Sequence, residues 1–401
     1  MVKIAVLGYG TVGSGIVEVI KTNQKLINER AGEEIDIKYI LDLRDFPGDP
    51  YESLVVHDVN VILEDPEIRV IAEAMGGVNP AYNFTKQALS KGISVCTSNK
   101  ELVERCGGEL CEIAKANHCS YLFEASVGGG IPILRPLVTS LTADHIDAVT
   151  GILNGTTNYI LTKMDEDGSD FDTVLKEAQE KGYAERNPEA DVEGYDAGRK
   201  ISIIASLVTG KDADFDAVYT EGITRIEQAD FAYARAMKRV IRLLAIYRER
   251  GGRFFAYVAP AMIGRDNPLY GVRDVFNSIL VHGNMLGNAM FYGAGAGKLP
   301  TASAVAGDVV DCVRSLGKTL PGGWSREKLP LTDHKSRAKK FLVRVADADA
   351  ESFVSVFGSC EKIDAGIAGE TGFLTEEMDE NTFEEKAAKL SGYISRIRVE
   401  D

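Results

Sequence analysis

The chain opens MVKIAVLGYGTVGSG, a short apolar run from Lys3 to Leu7 that enters a glycine turn and continues as a helical pattern from Ser14 to about Arg30. That order, strand then glycine turn then helix, constrains the fold more than any other feature. A lone Gly-x-Gly-x-x-Gly is weak, but in this setting each glycine has a task. Gly8 permits the tight turn, Gly10 lets the backbone approach a pyrophosphate, and Gly13 allows close helix packing. Thr11 and Val12 lie in the same loop, ahead of the helix whose N-terminus attracts the anion. The start therefore reads as a dinucleotide-binding βαβ unit of Rossmann type.

The α/β rhythm continues through IDIKYILDL, VIAEAMG, ISVCTSN and SYLFEAS as strands, with helical stretches at 80–91 and 101–117. A doubly wound parallel sheet follows, with ligands expected beyond the carboxyl ends of its strands. Gly76 and Ser98-Asn99-Lys100 fall at those ends. Two signals compete after the second strand: Asp42 would accept from a ribose 2′-hydroxyl, whereas Arg44 would favour a 2′-phosphate. The reading leans to NADP(H) through Arg44, with NAD(H) open. After Ser126 the texture becomes α+β, and Gly293, Gly295 and Gly297 precede a helix from about Thr301 that returns to the first domain. The expected division is a dinucleotide-binding domain over 1–127, completed by 300–330, a substrate-binding and dimerisation domain over 128–299, and a small C-terminal α+β appendage over 339–401. Residues 318–338 read as a linker.

A formal net charge of −15 with no basic block argues against nucleic-acid binding. No apolar run is long enough to span a membrane, and the N-terminus runs straight into a functional loop, so a cytoplasmic protein is expected. Six cysteines are too few and too scattered for a disulfide framework. Cys96, at a strand end, is the one tempting nucleophile, and it lacks a histidine partner.

The segment GYAERNPEADVEGYDAGRK packs acidic side chains and a lysine into the approach to a helix. Asp196 and Lys200 stand four apart and share one helix face. On its own such a pair reads as a surface ion pair. An enzyme that reduces an aldehyde must hold the carbonyl, stabilise the developing alkoxide and deliver a proton, tasks that lysine suits. Lys100 and Lys200 are the candidates, both expected at one interdomain cleft. Glu185, Asp191 and Asp196 suit an ammonium or hydroxyl group of a substrate.

With its spacing of Ala178, Gly182, Tyr183, Glu185, Pro188, Asp191, Gly194, Asp196 and Lys200, this segment resembles the signature of homoserine dehydrogenases. GYGTVGSG, SNKELV, FEASVGGGIPI, GILNGTTNYIL and YGAGAGKLPTASAVAGD extend the likeness over nearly the whole chain. The resemblance implies NAD(P)H-dependent, reversible reduction of L-aspartate 4-semialdehyde to L-homoserine. It makes Lys200 the proton donor, places Lys100 against cofactor and substrate, and gives Glu185 and Asp196 to substrate binding. It also implies a homodimer, and a sodium ion held by Glu124 with the carbonyls of Val127, Gly129 and Ile131. The family's C-terminal extension often resembles an ACT domain, and the 339–401 region is short for one. Alternatives of other classes are another amino-acid dehydrogenase on the same two-domain plan and a non-catalytic dinucleotide sensor.

Overall fold

A computed structural model describes residues 1–400. The chain packs as two units, one of residues 1–145, 202–215 and 291–329, the other of residues 146–201, 216–290 and 330–401. Among the described residues no helix is long and apolar enough to cross a membrane.

The first unit is built on six parallel strands: β1 (Val2–Leu7), β2 (Ile35–Leu41), β3 (Val55–Val56), β4 (Ile68–Glu73), β5 (Ser94–Thr97) and β6 (Tyr121–Leu122). Their order is β3-β2-β1-β4-β5-β6. Strand order reverses between β1 and β4, so the chain ends open a crevice at the glycine turn, where such sheets bind dinucleotides. β1 and β4 are almost wholly buried, as parallel strands covered on both faces must be. Ile4, Val6, Val70 and Ala72 share a core with Ile16, Val17 and Ile20 of the helix Thr11–Thr22 and with Ala302, Val305 and Val309 of the helix Lys298–Arg314. Each fully buried aliphatic side chain contributes about 1.5–3 kcal/mol. The helix expected from Ser14 to Arg30 is two helices, Thr11–Thr22 and Gln24–Ala31, because the backbone of Asn23 leaves helical geometry between them. The stretch expected as a linker is partly core: Trp324 is buried, edge-on to Phe123, with its ring against Gly107.

In the second unit the central hairpin is β9 (Arg239–Arg250) and β10 (Arg253–Gly264), which follow β7 (Ile146–Ile152) and β8 (Tyr219–Thr220) along the chain. Gly251 and Gly252 both take positive φ and close the hairpin in two residues, as a primed turn requires. β11 (Phe276–Gly283) and β12 (Gly287–Ala294) extend the sheet from β7.

Residues 340–400 form β13 (Lys340–Ala346), helix Ala350–Phe357, β14 (Cys360–Ile363), β15 (Glu370–Thr375), helix Glu380–Ala387 and β16 (Tyr393–Glu400). This is a complete βαββαβ module with strand order β16-β13-β15-β14. It has a core of its own in Phe341, Val343, Phe353, Phe373 and Phe383. The expected acidic helix over 376–390 is confined to Glu380–Ala387, started by the Asp379 cap. β16 also pairs in parallel with β10 through Ala261–Ile263, so one ten-stranded sheet runs through the unit. β8 pairs with β10 at Tyr257 and Val258, and Pro260, which has no N–H, falls in the gap between these two pairings. The seam is charged and buried. Arg398 binds Glu380 and Glu221, and Arg337 binds Glu400, which also accepts the Tyr257 hydroxyl at 2.9 Å.

Candidate active site

In the first unit β1 delivers the chain into the glycine turn. Gly8 has φ of 89°, and a Cβ on Gly13 would lie 1.8 Å from the Gly8 carbonyl oxygen, so no other residue fits there. Gly10 is exposed with open space around its Cα, and as N-cap of the helix Thr11–Thr22 it offers no side-chain acceptor. Thr11 is exposed and Val12 half-buried. The first N–H groups of the helix thus lie at an exposed turn, where free N–H groups and the helix dipole favour an anion.

The competition after β2 ends in an ion pair. Arg44 donates from Nε and Nη2 to the two oxygens of Asp42, at 2.9 and 3.0 Å, and the Tyr9 backbone N–H donates to Asp42 at 2.8 Å. The Arg44 guanidinium holds the Asp42 carboxyl far below the usual carboxylate range. Arg44 itself lies against Phe46 and remains 62% exposed.

β4 and β5 end in a second group of candidates. Glu73 is fully buried and accepts the Met75 N–H at 2.6 Å and the Thr97 hydroxyl. Burial pushes its carboxyl up to about 7. Thr97 Oγ1 in turn accepts the Asn99 N–H, Asn99 Nδ2 donates to the Gly77 carbonyl at 2.6 Å, and Asn99 Oδ1 caps the helix Lys100–Ala116. This network fixes the turns that carry Gly76, Ser98 and Lys100. Gly76 is exposed, and Ser98 and Lys100 are half-buried. Gly297, with φ of 119°, caps the helix Lys298–Arg314.

Glu124 lies at the start of a 3₁₀ turn, Glu124–Ser126. One of its oxygens accepts the N–H groups of Ile133 and Leu134, and the other that of Arg135, at 2.6–2.9 Å. Of roughly four lone-pair sites on a carboxylate, three are occupied. Asp308 accepts the Glu124 N–H and a hydrogen bond from Arg135, and burial pushes Asp308 up to about 7. Cys96 is wholly buried with Sγ 3.6 Å from that of Cys312, and burial pushes it well above the ordinary thiol range, the reverse of an activated nucleophile.

In the second unit the carboxylates and the lysine converge. Gly194, with φ of 82°, turns the chain into the helix Tyr195–Thr209, which carries Asp196 in its first turn and Lys200 one turn on. The pair is no surface ion pair. Asp196 is 4% and Lys200 8% exposed, their Oδ2 and Nζ are 2.7 Å apart, and Nζ also donates to the Leu153 carbonyl at 2.7 Å. Asn154 Nδ2 donates to Asp196 Oδ2 at 2.9 Å and to Asp191 Oδ1 at 2.7 Å. Glu185 stays exposed on the preceding loop, its carbonyl accepting Gln179 Nε2, and no hydrogen bond joins it to this group. Leu153 and Asn154 are the residues that sequence reasoning passed over. The available signal was Asn154-Gly155-Thr156-Thr157, a helix start.

A parallel sheet entered through a glycine turn, together with a buried ammonium held by a carboxylate and a carbonyl, is the pattern of a nicotinamide-dependent oxidoreductase. Family models agree with the geometry: homoserine dehydrogenase, NAD binding domain, matches residues 8–124, and homoserine dehydrogenase matches residues 132–310. The chain is 43% identical to a homoserine dehydrogenase of Synechocystis sp. over 319 residues, 78% of this chain and 73% of that one. The structure of a homoserine dehydrogenase from Thiobacillus denitrificans superimposes with a TM-score of 0.89 at 32% identity, covering 100% of this chain and 98% of that one. A hyperthermophilic archaeal homoserine dehydrogenase in complex with NADPH does so with a TM-score of 0.66 at 26% identity, covering 80% of this chain and 99% of that one. The chain belongs to the homoserine dehydrogenase family. Its reaction is the reversible, NAD(P)H-dependent reduction of L-aspartate 4-semialdehyde to L-homoserine.

Proposed function

We propose that Lys200 is the proton donor of this reaction, with Asp196 holding its ammonium and Asp191 and Glu185 binding the polar end of the substrate. One observation carries the reading: a lysine buried to 8% exposure and oriented by two oxygens, the Asp196 carboxylate and the Leu153 carbonyl. Held this way, the ammonium stabilises an alkoxide and then protonates it. When bound, the nicotinamide supplies the hydride to the carbonyl carbon. The chain's own residues bind, orient and move the proton. In the opposite direction neutral Lys200 takes the proton from the homoserine hydroxyl.

Gly8, Gly10, Thr11, Val12 and Gly13 hold the pyrophosphate, and Gly76, Ser98, Lys100 and Gly297 line the rest of the cofactor's path, Lys100 also meeting substrate. NADP(H) is favoured because both Asp42 oxygens are engaged by Tyr9 and Arg44 while the guanidinium stays exposed, and because the archaeal neighbour binds NADPH. Glu124 keeps one lone-pair site, and together with the carbonyls of Val127, Gly129 and Ile131 it offers only hard oxygen donors. A sodium ion there would stiffen the loop, and no step passes through it. The β11–β12 hairpin exposes Met285, Leu286 and Met290, which suits a second copy of the chain and a cytoplasmic homodimer.

The test is NADPH oxidation with L-aspartate 4-semialdehyde, with homoserine identified as product. Lys200→Met is expected to lower kcat by about 10²–10⁴, the range for a general acid, while NADPH still binds. Turnover close to wild type in that variant would place the donor elsewhere.

A further inference from the structure

The Lys200 cluster depends on a residue to which no role has been given. Asn154 is 6% exposed and sits at the junction of β7 with the helix Gly155–Asp167. Its Oδ1 caps that helix by accepting the Thr157 N–H at 2.9 Å. Its Nδ2 reaches two carboxylates, Asp191 37 residues on and Asp196 42 residues on. The preceding residue, Leu153, presents its carbonyl to Lys200 Nζ. One dipeptide therefore gives the ammonium its carbonyl acceptor and gives the carboxylates their donor.

We propose that Asn154 is a positioning residue for the reaction, whose carboxamide clamps Asp191 to Asp196 and so fixes the place of Lys200. The proposal rests on the reading of Lys200 as proton donor.

Only a carboxamide does all three jobs at once, having two N–H donors on one nitrogen and an acceptor oxygen on the other arm. Two carboxylates brought together without a donor repel, and one of them then takes up a proton. A proton on Asp196 would remove the counter-charge of Lys200. Asn154 Nδ2 and Lys200 Nζ meet the same Asp196 oxygen, Oδ2, so rotating that carboxylate moves the ammonium. The clamp acts through Asp196, not on the substrate. Removing it should lower kcat without touching the nucleotide turn, which belongs to other residues.

The cap and the clamp use opposite arms of the side chain, so variants can separate them. Asn154→Asp keeps an oxygen for the Thr157 N–H, and Asp is as good an N-cap as Asn, but it turns the donor arm into a third acceptor. Asn154→Ala removes both. In the full-length enzyme both variants are expected to lose about 10- to 100-fold in kcat, the scale for lost hydrogen bonds to charged groups, with the KM for NADPH within about twofold of wild type. Asn154→Ala should melt measurably lower through loss of the cap, and Asn154→Asp through the third carboxylate it buries beside Asp191 and Asp196. If Asn154→Asp folds poorly, Asn154→Ser carries the same test, because it keeps the cap with no added charge and is too short to bridge both carboxylates. Lys200→Met is assayed alongside. An inactive Lys200→Met with an Asn154→Asp enzyme at wild-type kcat would overturn the clamp and leave the proton donor standing. A loss of kcat in Asn154→Ala that Asn154→Asp and Asn154→Ser do not share would assign Asn154 to the cap alone and overturn the clamp. Near-normal turnover in Lys200→Met would overturn the proton-donor reading and the clamp with it.

Discussion

Glu73→Gln converts a buried, proton-retaining carboxyl of the first unit into a pH-insensitive group of the same shape. Glu73 is fully buried, and burial raises its carboxyl from 4.5 to about 7. The folded state therefore retains a proton that the unfolded chain has released. With the pKa raised on folding, the associated stability is complete below about 4.5, falls as pH rises through the window, and its loss is complete above about 7. The shift, 7 minus 4.5, is about 2.5 pH units, and at about 1.4 kcal/mol each this makes roughly 3 kcal/mol. Between pH 5.5 and 8.5 the part traversed, 7 minus 5.5, is worth about 2 kcal/mol. Glutamine titrates nowhere in this range, and its carbonyl can still accept the Met75 N–H while its amide donates to Thr97 Oγ1. The assay is thermal unfolding of wild type and variant at both pH values. The variant is expected to gain on wild type by about 2 kcal/mol at the higher pH, some 4–8 °C for a body of about 150–250 residues. Melting curves that stay parallel across the pH range would refute the argument, since they require Glu73 to titrate alike in both states.

Three further outcomes test other parts of the molecule. Gly13→Ala puts a Cβ 1.8 Å from the Gly8 carbonyl oxygen, so the turn must open, and titration with NADPH should show at least about tenfold weaker binding; unchanged affinity would remove the turn from the cofactor site. Arg44→Ala should raise the KM for NADPH by about 10- to 100-fold more than that for NADH, the scale of a lost charge-assisted phosphate contact; equal effects would point to Asp42 and the ribose. Arg398→Met takes the shared guanidinium away from the Glu380 and Glu221 carboxylates, leaving Glu380 to Lys339 and Arg396 and Glu221 to Tyr219 and Arg396, and should destabilise the second unit by about 1.5–3 kcal/mol in chemical denaturation, whereas a loss under 1 kcal/mol would mean the seam is solvated.

Much of the first unit was legible because its signals are local. The apolar runs at Lys3–Leu7 and 70–76 read directly as strands, and the glycine spacing of 8, 10 and 13 specified the turn. The rest depends on contacts across long stretches of chain. Asp42 and Arg44 looked like rival cofactor ligands, and nothing in the string says that they bind each other or that the Tyr9 N–H joins them. The spacing of Asp196 and Lys200 taken alone fits a surface pair, and nothing in the string says that the Leu153 carbonyl meets the ammonium. Asn154 was hidden by its own helix cap, since Asn-Gly is read as punctuation. The C-terminal module was underestimated because Cys360–Ile363 is half-exposed and only four residues long, too short for alternation to mark it as a strand.

The single sheet that joins β10 to β16 also orders the events of folding. The β9–β10 hairpin can zip from its two-glycine turn on the microsecond scale, but on its other edge the stretch 261–263 finds its partner only 137 residues further along the chain, Arg398 against Ala261. Parallel pairing over so long a loop is slow, and until it happens the part of that edge beyond the β8 pairing is unpartnered and open to other chains. Pro260 lies in the middle of that edge and offers no N–H to an intruding strand, and at the native stage this costs nothing because the residue falls between the β8 and β16 pairings. Replacing it with valine would leave the finished sheet nearly unchanged. The change would instead appear as aggregates collected during refolding.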